Sequence, residues 1–277
     1  MNFVSKPGLV RGSSYCLALV DPQEKCAAVF DLAAKVEEGS FDWDLEVQLE
    51  PLNDPGRPEK PELVSPKALP RRRLGSEEGR SALIHAIAHI EFNAINLALD
   101  AVCRFRDMPG QYYLDWISVA KDEARHFQML FERLVQLGRQ YGDFPAHNGL
   151  WEMAENTADS CLARMALVPR VLEARGLDVT PGMIERLQSV GDVETVAILE
   201  VILAEEVGHV AIGTRWFNYC CKQENLPPVE TFLELLRSRF TGSIRGPFNL
   251  EARTEAGFTK EEMDGLVEAT SYPFESR

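Results

Sequence analysis

The segments Glu123-Ala-Arg-His126 and Glu206-Val-Gly-His209 share one pattern, a Glu followed three residues later by a His. Each lies within a long stretch of helical sequence, so the Glu and the His share one face of a helix. Apolar residues occupy the helical positions one and two turns away, as on a stripe that packs into a core. They are Trp116, Val119, Ala120, Phe127, Leu130 and Leu134 around the first pair and Leu199, Ile202, Leu203 and Val210 around the second. Both ionisable pairs are therefore predicted to be buried.

Burial of a carboxylate is costly unless a partner charge or a metal ion compensates it. A single Glu-x-x-His pair in a helical protein is usually a surface pair or a satisfied core pair, but two buried pairs call for a common explanation. In helical bundles that hold two metal ions, two helices each provide such a pair, and two further helices each provide one Glu. The repeated pattern therefore predicts a metal centre.

The two further carboxylates can be sought in the remaining long helical segments. The first segment supplies Glu91, the only charge on its apolar stripe. Glu91 lies about fifteen residues before the predicted turn and Glu123 about thirteen after it, so at about 1.5 Å per residue both reach the same height of a helical hairpin. The third segment offers Glu173 near its predicted end, with Glu155 and Asp159 as alternatives. The predicted metal ligands are Glu91, Glu123, His126, Glu173, Glu206 and His209.

The types of ligand indicate which metals to expect. Carboxylate and imidazole groups favour iron or manganese, whereas a structural zinc site more often recruits cysteine. The cysteines of this chain are not placed for such a site. The expected cofactor is two iron ions, with manganese or a mixed manganese–iron pair as alternatives. His85 and His89 are one turn apart, but the helix turns them away from Glu91, so a hydrogen-bonded or exposed role is expected for them.

The helical segments are separated by recognisable breaks. They are predicted at about residues 22–36, 76–106, 111–138, 149–175, 181–190, 192–221 and 229–240, with a short last helix. Asp21, Ser76 and Asp192 are expected to be N-caps. Pro169 should kink the third long helix and Gly176 should end it.

Other parts of the chain read as irregular or short elements. Residues 50–73 contain recurrent prolines among charges and are expected to be extended. Residues 141–148 read as a loop, and residues 242–257 are expected to be irregular. Thr259 and Glu262 should form a capping box for the last helix.

These elements define an all-α fold, since no convincing strand pattern is present. The expected architecture is a ferritin-like four-helix bundle over residues 76–223. Residues 1–75 form a helical and Pro-rich wrapping extension before it. Residues 224–277 form short C-terminal helices packed on it.

Charge and hydropathy restrict the partners and the compartment. The chain has 29 Lys and Arg against 43 Asp and Glu, a formal net charge of -14, so nucleic acid is not an expected partner. The start has no apolar run long enough for a signal peptide, and the six cysteines include no Cys-x-x-Cys, which fits a reducing cytoplasm. Residues 82–102 have nearly membrane length but carry several polar groups, so a buried helix is expected. The oligomeric state is open, a homodimer being one option.

Eight longer stretches of the sequence resemble those of a known protein family. They are Pro55-Gly-Arg-Pro-Glu-Lys-Pro-Glu-Leu-Val64, His89-Ile-Glu-Phe-Asn-Ala-Ile-Asn96, Asp122-Glu-Ala-Arg-His-Phe127, Tyr141-Gly-Asp-Phe-Pro-Ala-His147, Ala163-Arg-Met-Ala-Leu-Val-Pro-Arg170, Leu172-Glu-Ala-Arg-Gly-Leu-Asp178, Glu205-Glu-Val-Gly-His209 and Pro247-Phe-Asn-Leu250. With them the chain resembles the ferritin-like family catalogued as domain of unknown function 455, over most of its length. That family looks related to tRNA-modifying di-iron hydroxylases, in which a helix carries a similar Glu-Ala-Arg. This likeness favours Glu173 over Glu155 and Asp159.

The resemblance implies an oxidoreductase that activates dioxygen at a di-metal centre to oxidise or hydroxylate an organic molecule. It identifies neither the substrate nor the electron donor, because a fold hosts many functions. The acidic charge argues against copying the tRNA substrate. The alternatives are a non-enzymatic metal-binding or iron-handling protein, metal-assisted hydrolysis, and a helical scaffold whose Glu-His pairs are structural.

Overall fold

The computed structural model describes residues 6, 8–49, 54–69, 73–240 and 242–271. Over these ranges the regular secondary structure is helical, accompanied by two isolated β-bridges. The α-helices are α1 (Leu9–Ala18), α2 (Pro22–Glu37), α3 (Glu77–Arg104), α4 (Gly110–Gln136), α5 (Gly149–Asn156), α6 (Cys161–Leu167), α7 (Ala174–Ser189), α8 (Val193–Glu224), α9 (Pro228–Arg239), α10 (Leu250–Glu255) and α11 (Lys260–Ser271). A 3₁₀ turn covers Pro66–Ala68, and a π-helical stretch, here the π segment, covers Val168–Glu173. The predicted all-α class is confirmed.

The chain divides into two compact units, residues 1–151 and residues 152–277. In the first unit α3 and α4 form a tightly packed helical hairpin, α1 packs on α3, and α2 packs on α4. The side chain of Ser76 accepts a hydrogen bond from the backbone N–H of Gly79 at 3.1 Å. Asp21 accepts from two backbone N–H groups at the start of α2. Both predicted caps are confirmed.

Helix α3 has a long, strongly apolar sequence. It is long and apolar enough to cross a membrane, but 89% of its most apolar window is buried inside the protein. Burial of this kind is typical of a core helix, because polar groups on the helix then find partners within the protein. The prediction of a buried helix over residues 82–102 is confirmed.

The Pro-rich stretch is extended over residues 54–69 apart from its 3₁₀ turn, as predicted. It lies along the loop 141–148: the N–H of Val64 donates to the carbonyl of Ala146 at 2.8 Å, and the N–H of Ala146 donates to the carbonyl of Glu62 at 3.0 Å. Arg57 donates to the side chain of Asn148 at 2.7 Å. Residues 50–53 and 70–72 of the predicted extended stretch lie outside the described residues.

The second unit contains a helical run that differs from its prediction. The expected helix over 149–175 is interrupted after Asn156, restarts at Cys161, and continues through Gly176 to Ser189. The predicted end at Gly176 is therefore wrong, and so is a separate helix over 181–190. Pro181 cannot donate to the carbonyl of Leu177, and that carbonyl instead accepts a hydrogen bond from the side chain of Asn249 at 3.2 Å. A distant residue thus allows the helix to pass through its proline.

The break between α5 and α6 is also stabilised by side chains. The hydroxyl of Thr157 donates to the carbonyl of Met153 at 2.7 Å, and the buried Arg164 donates to that hydroxyl at 2.7 Å. Ser160 then caps α6 by accepting from the N–H of Ala163 at 3.1 Å. These hydrogen bonds satisfy backbone groups that a helix end leaves open.

Arg170, in the π segment, is completely buried. Its Nη2 lies 2.8 Å from Oε1 of Glu262, and its Nε donates to the hydroxyl of Thr214 at 3.2 Å. Three aromatic rings surround the guanidinium, at 4.3 to 4.6 Å from its carbon to the ring centroids: Phe217, Phe232 and Phe258. Such cation–π contacts contribute up to about 2 kcal/mol each when desolvated. We call these residues the Arg170 cage.

The C-terminal helices complete the second unit around this cage. The N–H of Thr259 donates to Oε2 of Glu262 at 2.9 Å, and the N–H of Glu262 donates to the hydroxyl of Thr259 at 3.2 Å, which confirms the predicted capping box. Residues 242–257 are not wholly irregular, since α10 occupies Leu250–Glu255. The side chain of Asn249 accepts from the N–H of Ala252 and so caps this short helix.

The π segment approaches α8 closely at one glycine. A Cβ atom added to Gly213 would lie 2.4 Å from both Cβ and Cγ of Pro169. A proline ring is rigid, so the contact requires a glycine at this position. We expect Gly213→Ala to destabilise the protein by about 1–3 kcal/mol through overpacking, measured by urea unfolding.

Gly208, in the same helix, is the matched control for that substitution. Apart from the backbone of its own helix and its chain neighbours, no atom lies within 4 Å of a Cβ built at Gly208. Gly208→Ala should be neutral or stabilising by up to about 1 kcal/mol, because alanine has the higher helix propensity. Equal effects of the two substitutions would contradict the close packing of Pro169 on Gly213.

Candidate metal centre

Three of the predicted ligands lie together in the first unit. Glu91 on α3 is 4% exposed, and Glu123 and His126 on α4 are fully buried. Nδ1 of His126 lies 3.3 Å from Oε2 of Glu91 and 3.5 Å from Oε2 of Glu123. One ligand atom from each of the three lies within 4.8 Å of the others. We call these three residues the α3–α4 cluster.

The hairpin positions this cluster as its sequence spacing predicts. The turn between Arg104 and Gly110 reverses the chain, and Glu91 and Glu123 lie at similar distances from it. His126 follows Glu123 by nearly one helical turn and therefore lies on the same face. Two rigid helices thus bring two carboxylates and one imidazole to one point in the core.

The pKa shifts in the cluster reflect the cost of burying like charges. Burial raises the pKa of Glu91 above its ordinary value, and the charge of Glu123 raises it further. Burial lowers the pKa of His126, but hydrogen bonds and charges from Glu123 and Glu91 outweigh burial and raise it to about 11. The cluster therefore holds protons at neutral pH, and a cation that binds oxygen and nitrogen atoms could replace them.

The other Glu-x-x-His pair lies on α8 in the second unit. Glu206 is 9% exposed and His209 is 3% exposed, and Nδ1 of His209 lies 3.6 Å from Oε1 of Glu206. We call these two residues the α8 pair. This distance between the imidazole nitrogen and the carboxylate oxygen is close to the 3.5 Å that separates the same atoms of His126 and Glu123. The two repeats of the sequence pattern therefore share one local geometry.

Glu173 is the last residue of the π segment and is half-buried. The π segment and α7 form one run that pairs antiparallel with α8 across the short turn at 190–192. Pro169 of the π segment faces Gly213 of α8. Because the two helices are antiparallel, Glu173, four residues after Pro169, lies level with His209, four residues before Gly213. The sequence placed Glu173 near the end of its helix, which made it a less certain ligand than the others. In the structure the helix continues beyond Glu173 as α7.

The two reserve carboxylates are placed differently. Glu155 is exposed on α5. Asp159 is exposed and forms a two-pronged ion pair with Arg239, at 2.7 and 3.0 Å. Neither lies in a core where a metal would compensate its charge. That all six predicted ligands form one centre stays a prediction.

His85 and His89 have hydrogen-bonded roles, as expected. Nδ1 of His89 lies 2.8 Å from the hydroxyl of Tyr141, and Nε2 of His85 accepts from the N–H of Gly142 at 2.9 Å. Burial lowers the pKa of His89 to about 3, with a further contribution from His85, so His89 is neutral. These contacts attach the loop 141–148 to α3. The sequence contained no signal for the pairing with Tyr141.

A cavity of about 370 Å³ lies in the first unit near the C-terminal end of α3. It is lined by Ser14, Leu17, Leu45, Glu46, Val47, Gln48, Leu49, Asp100, Cys103, Arg104, Arg106 and Asp107. Asp100 is buried there and accepts hydrogen bonds from Arg104 at 2.7 to 3.0 Å. Within the described residues, no predicted metal ligand lines this cavity.

Comparison with known proteins identifies relatives without a stated activity. A family model described as a protein of unknown function (DUF455) matches residues 18–264. A protein of Haemophilus influenzae described as uncharacterized is 45% identical over 269 residues, which covers 91% of this chain and 91% of the relative. No solved structure matches the chain.

The raised pKa values in the α3–α4 cluster predict how stability depends on pH. The stabilisation from protonated Glu91 is complete below the ordinary value of 4.5 and is lost as pH rises through the higher folded-state pKa. That from His126 is complete below 6.5 and is lost as pH rises through about 11. The free energy of unfolding of metal-free protein should therefore contain a contribution that falls as pH rises.

Urea unfolding with a chelator, from about pH 5 to about pH 9, measures this dependence. Glu91→Gln should weaken the fall, because it removes one of the groups whose pKa is raised. Glu155→Gln is the control, since Glu155 is exposed, and should leave the slope unchanged. If the free energy of unfolding of Glu91→Gln depends on pH as steeply as that of Glu155→Gln and of the unsubstituted chain, the raised pKa of Glu91 does not cause the pH dependence.

Proposed function

The chain belongs to the DUF455 family, and we propose that it is a ferritin-like metalloprotein that binds two iron or manganese ions through the six predicted ligands. The observation that carries this proposal is the burial of Glu91 and Glu123 beside His126. Two carboxylates exceed the charge that one imidazole can balance. A divalent cation compensates the excess and binds the same atoms.

The ligand types support iron or manganese. Carboxylate oxygens and imidazole nitrogens suit both metals, and both occur in bundles that combine single glutamates with Glu-x-x-His pairs. The α3–α4 cluster provides one such pair and one single Glu. The α8 pair and Glu173 provide the same set in the second unit.

The repeated arrangement supports the ferritin-like part of the proposal. Helices α3 and α4 form a hairpin with Glu91 on its first arm and a Glu-x-x-His pair on its second. The run through the π segment and α7 forms a hairpin with α8 that carries Glu173 and the α8 pair in the same order. Two such hairpins are the parts from which a di-metal four-helix bundle is built.

We propose further that the protein is an oxidoreductase that uses dioxygen to oxidise or hydroxylate a small organic substrate. A bound, reduced metal pair would supply the electrons and the open coordination positions that this chemistry needs. Glu91, Glu123 and His126 would hold the metal in a core from which water is largely excluded. The net charge of -14 favours a substrate other than nucleic acid.

Metal handling without an organic substrate is the second candidate. The observation that favours it is the position of the 370 Å³ cavity, which the predicted ligands do not line. An enzyme that acts on a small molecule is expected to have its reactive group in the pocket that binds the substrate. Oxygen uptake that depends on an organic compound distinguishes the two candidates.

Metal content tests the centre directly. The purified full-length protein should contain about two iron or manganese ions per chain by elemental mass spectrometry. The double variant His126→Ala, His209→Ala should lose them, because it removes both imidazole ligands. His147→Ala is the control, since His147 lies in the loop 141–148 and should leave the metal content unchanged. Absence of metal after reconstitution would leave a helical scaffold as the better description.

The single variants test whether the two ligand sets act together. In one shared centre, His126→Ala alone or His209→Ala alone should weaken the binding of both ions. Independent sites would instead lose only the ion bound by the altered set. Titration of metal-free protein with Fe²⁺ or Mn²⁺ measures the number and affinity of the ions for each variant.

Oxygen consumption tests the proposed reaction. Metal-loaded protein with a reductant should consume dioxygen faster than the same amount of free iron, and a metabolite fraction that contains the substrate should increase the rate. Glu123→Gln should reduce this uptake, because it weakens a buried ligand, whereas Glu155→Gln should not. Uptake no faster than that of free iron with every fraction would favour metal handling.

A further inference from the structure

Two cysteine side chains of the second unit are in contact. The thiols of Cys161 and Cys220 are joined by a hydrogen bond. Neither cysteine forms a disulfide, Cys161 is partly exposed, and Cys220 is buried. Cys161 is the first residue of α6 and Cys220 lies near the end of α8, so the contact joins residues far apart in sequence.

The packing of the helices makes this contact part of the fold. Helix α6 and the π segment pack on α8, and Pro169 faces Gly213. Cys161 lies eight residues before Pro169, and Cys220 lies seven residues after Gly213, as expected of facing positions on antiparallel helices. The two thiols therefore face each other for the same reason that Pro169 faces Gly213.

The hydrogen bond gives the two thiols different roles. The bond to Cys161 is the main cause that raises the pKa of Cys220 well above its ordinary value, and burial adds to it. A buried thiol that keeps its proton is a poor nucleophile, which leaves Cys161 as the thiol that reacts first. Its partial exposure also lets a small oxidant reach it.

We propose that Cys161 and Cys220 form a redox-active thiol pair that a hydroperoxide oxidises to a disulfide. The sulfur of Cys161 attacks one peroxide oxygen, an S–O bond forms, and the O–O bond breaks with release of water or an alcohol. Cys220 then attacks the sulfenic sulfur, so that the S–S bond forms, the S–O bond breaks, and water leaves. The two thiols lose two electrons and two protons, which the peroxide takes up.

The other cysteines differ from this pair in their surroundings. Cys103 donates to the carbonyl of Val10 at 3.9 Å. Cys16 and Cys26 are buried, and burial raises the pKa of each to about 12. Cys221 follows Cys220 in a helix and so points about 100° away from it. Burial raises the pKa of Cys221 to about 11, although the charge of Arg170 acts in the opposite direction. Among the described residues, Cys161 and Cys220 are therefore the pair chosen for the proposal, because their thiols are hydrogen-bonded to each other.

The disulfide would link α6 to α8 at one end of their interface. Glu206, Gly213 and Cys220 recur at intervals of seven and lie on one face of α8. Cys220 is eleven residues, or about 16.5 Å along the helix, from His209, which is the nearer member of the α8 pair. The thiol pair is therefore separate from the proposed metal ligands, and its chemistry does not rest on them.

The test treats reduced full-length protein with hydrogen peroxide in the presence of a chelator, followed by mass spectrometry without reductant. The chain should lose about 2 Da, the mass of two hydrogen atoms, and regain it with dithiothreitol. Peptide mapping of the unsubstituted protein should find Cys161 linked to Cys220. A different linkage, or sulfinic acid at Cys161 with Cys220 still reduced, overturns the proposal.

Variants give the second arm of the test. Cys161→Ser and Cys220→Ser should each abolish the mass loss, whereas Cys103→Ser should retain it. The His126→Ala, His209→Ala double variant should form the disulfide as the unsubstituted chain does. If the protein binds its metal but the disulfide does not form, the proposal of a redox-active thiol pair is wrong and the metal proposal is unaffected. If the disulfide forms in a protein that binds no metal, the thiol proposal is supported and the metal proposal is not.

Discussion

Two carboxylates, Glu91 and Glu123, are buried next to each other in the core of the first unit. Their mutual repulsion and the loss of hydration oppose folding, so the fold must supply a compensating positive charge. Protonated His126 supplies part of it from the same helix as Glu123. Most other buried residues of α3 and α4 are apolar, and their packing keeps the two carboxylates in the core, away from water.

The second unit handles its buried charge differently. Arg170 is neutralised by Glu262 and enclosed by three phenylalanine rings, so its charge is compensated within the protein. Glu262 also caps α11, and one carboxylate therefore serves the cage with one oxygen and the helix start with the other. Because Arg170 belongs to the π segment, the cage also holds the backbone that leads to Glu173.

The two sets of buried charges differ in how they are balanced. The Arg170 cage contains one cation, one carboxylate and aromatic faces, which together form a balanced set. The α3–α4 cluster contains two carboxylates and one imidazole, and its balance depends on bound protons or on a metal ion. The unbalanced cluster is the one that supports the proposed metal binding, whereas the balanced cage is suited to stabilising the fold.

The sequence by itself determined the helices whose patterns are local. Ser76, Asp192 and the Thr259–Glu262 box mark helix starts because capping acts over three residues, and the hairpin of Glu91 and Glu123 follows from helical rise and a short turn. Only the tertiary structure decided that the run through Gly176 and Pro181 stays helical, because the side chain of Asn249 satisfies the carbonyl that the proline leaves open. The Arg170 cage and the Cys161–Cys220 contact were likewise invisible in the sequence, since each joins residues brought together by helix packing rather than by spacing along the chain.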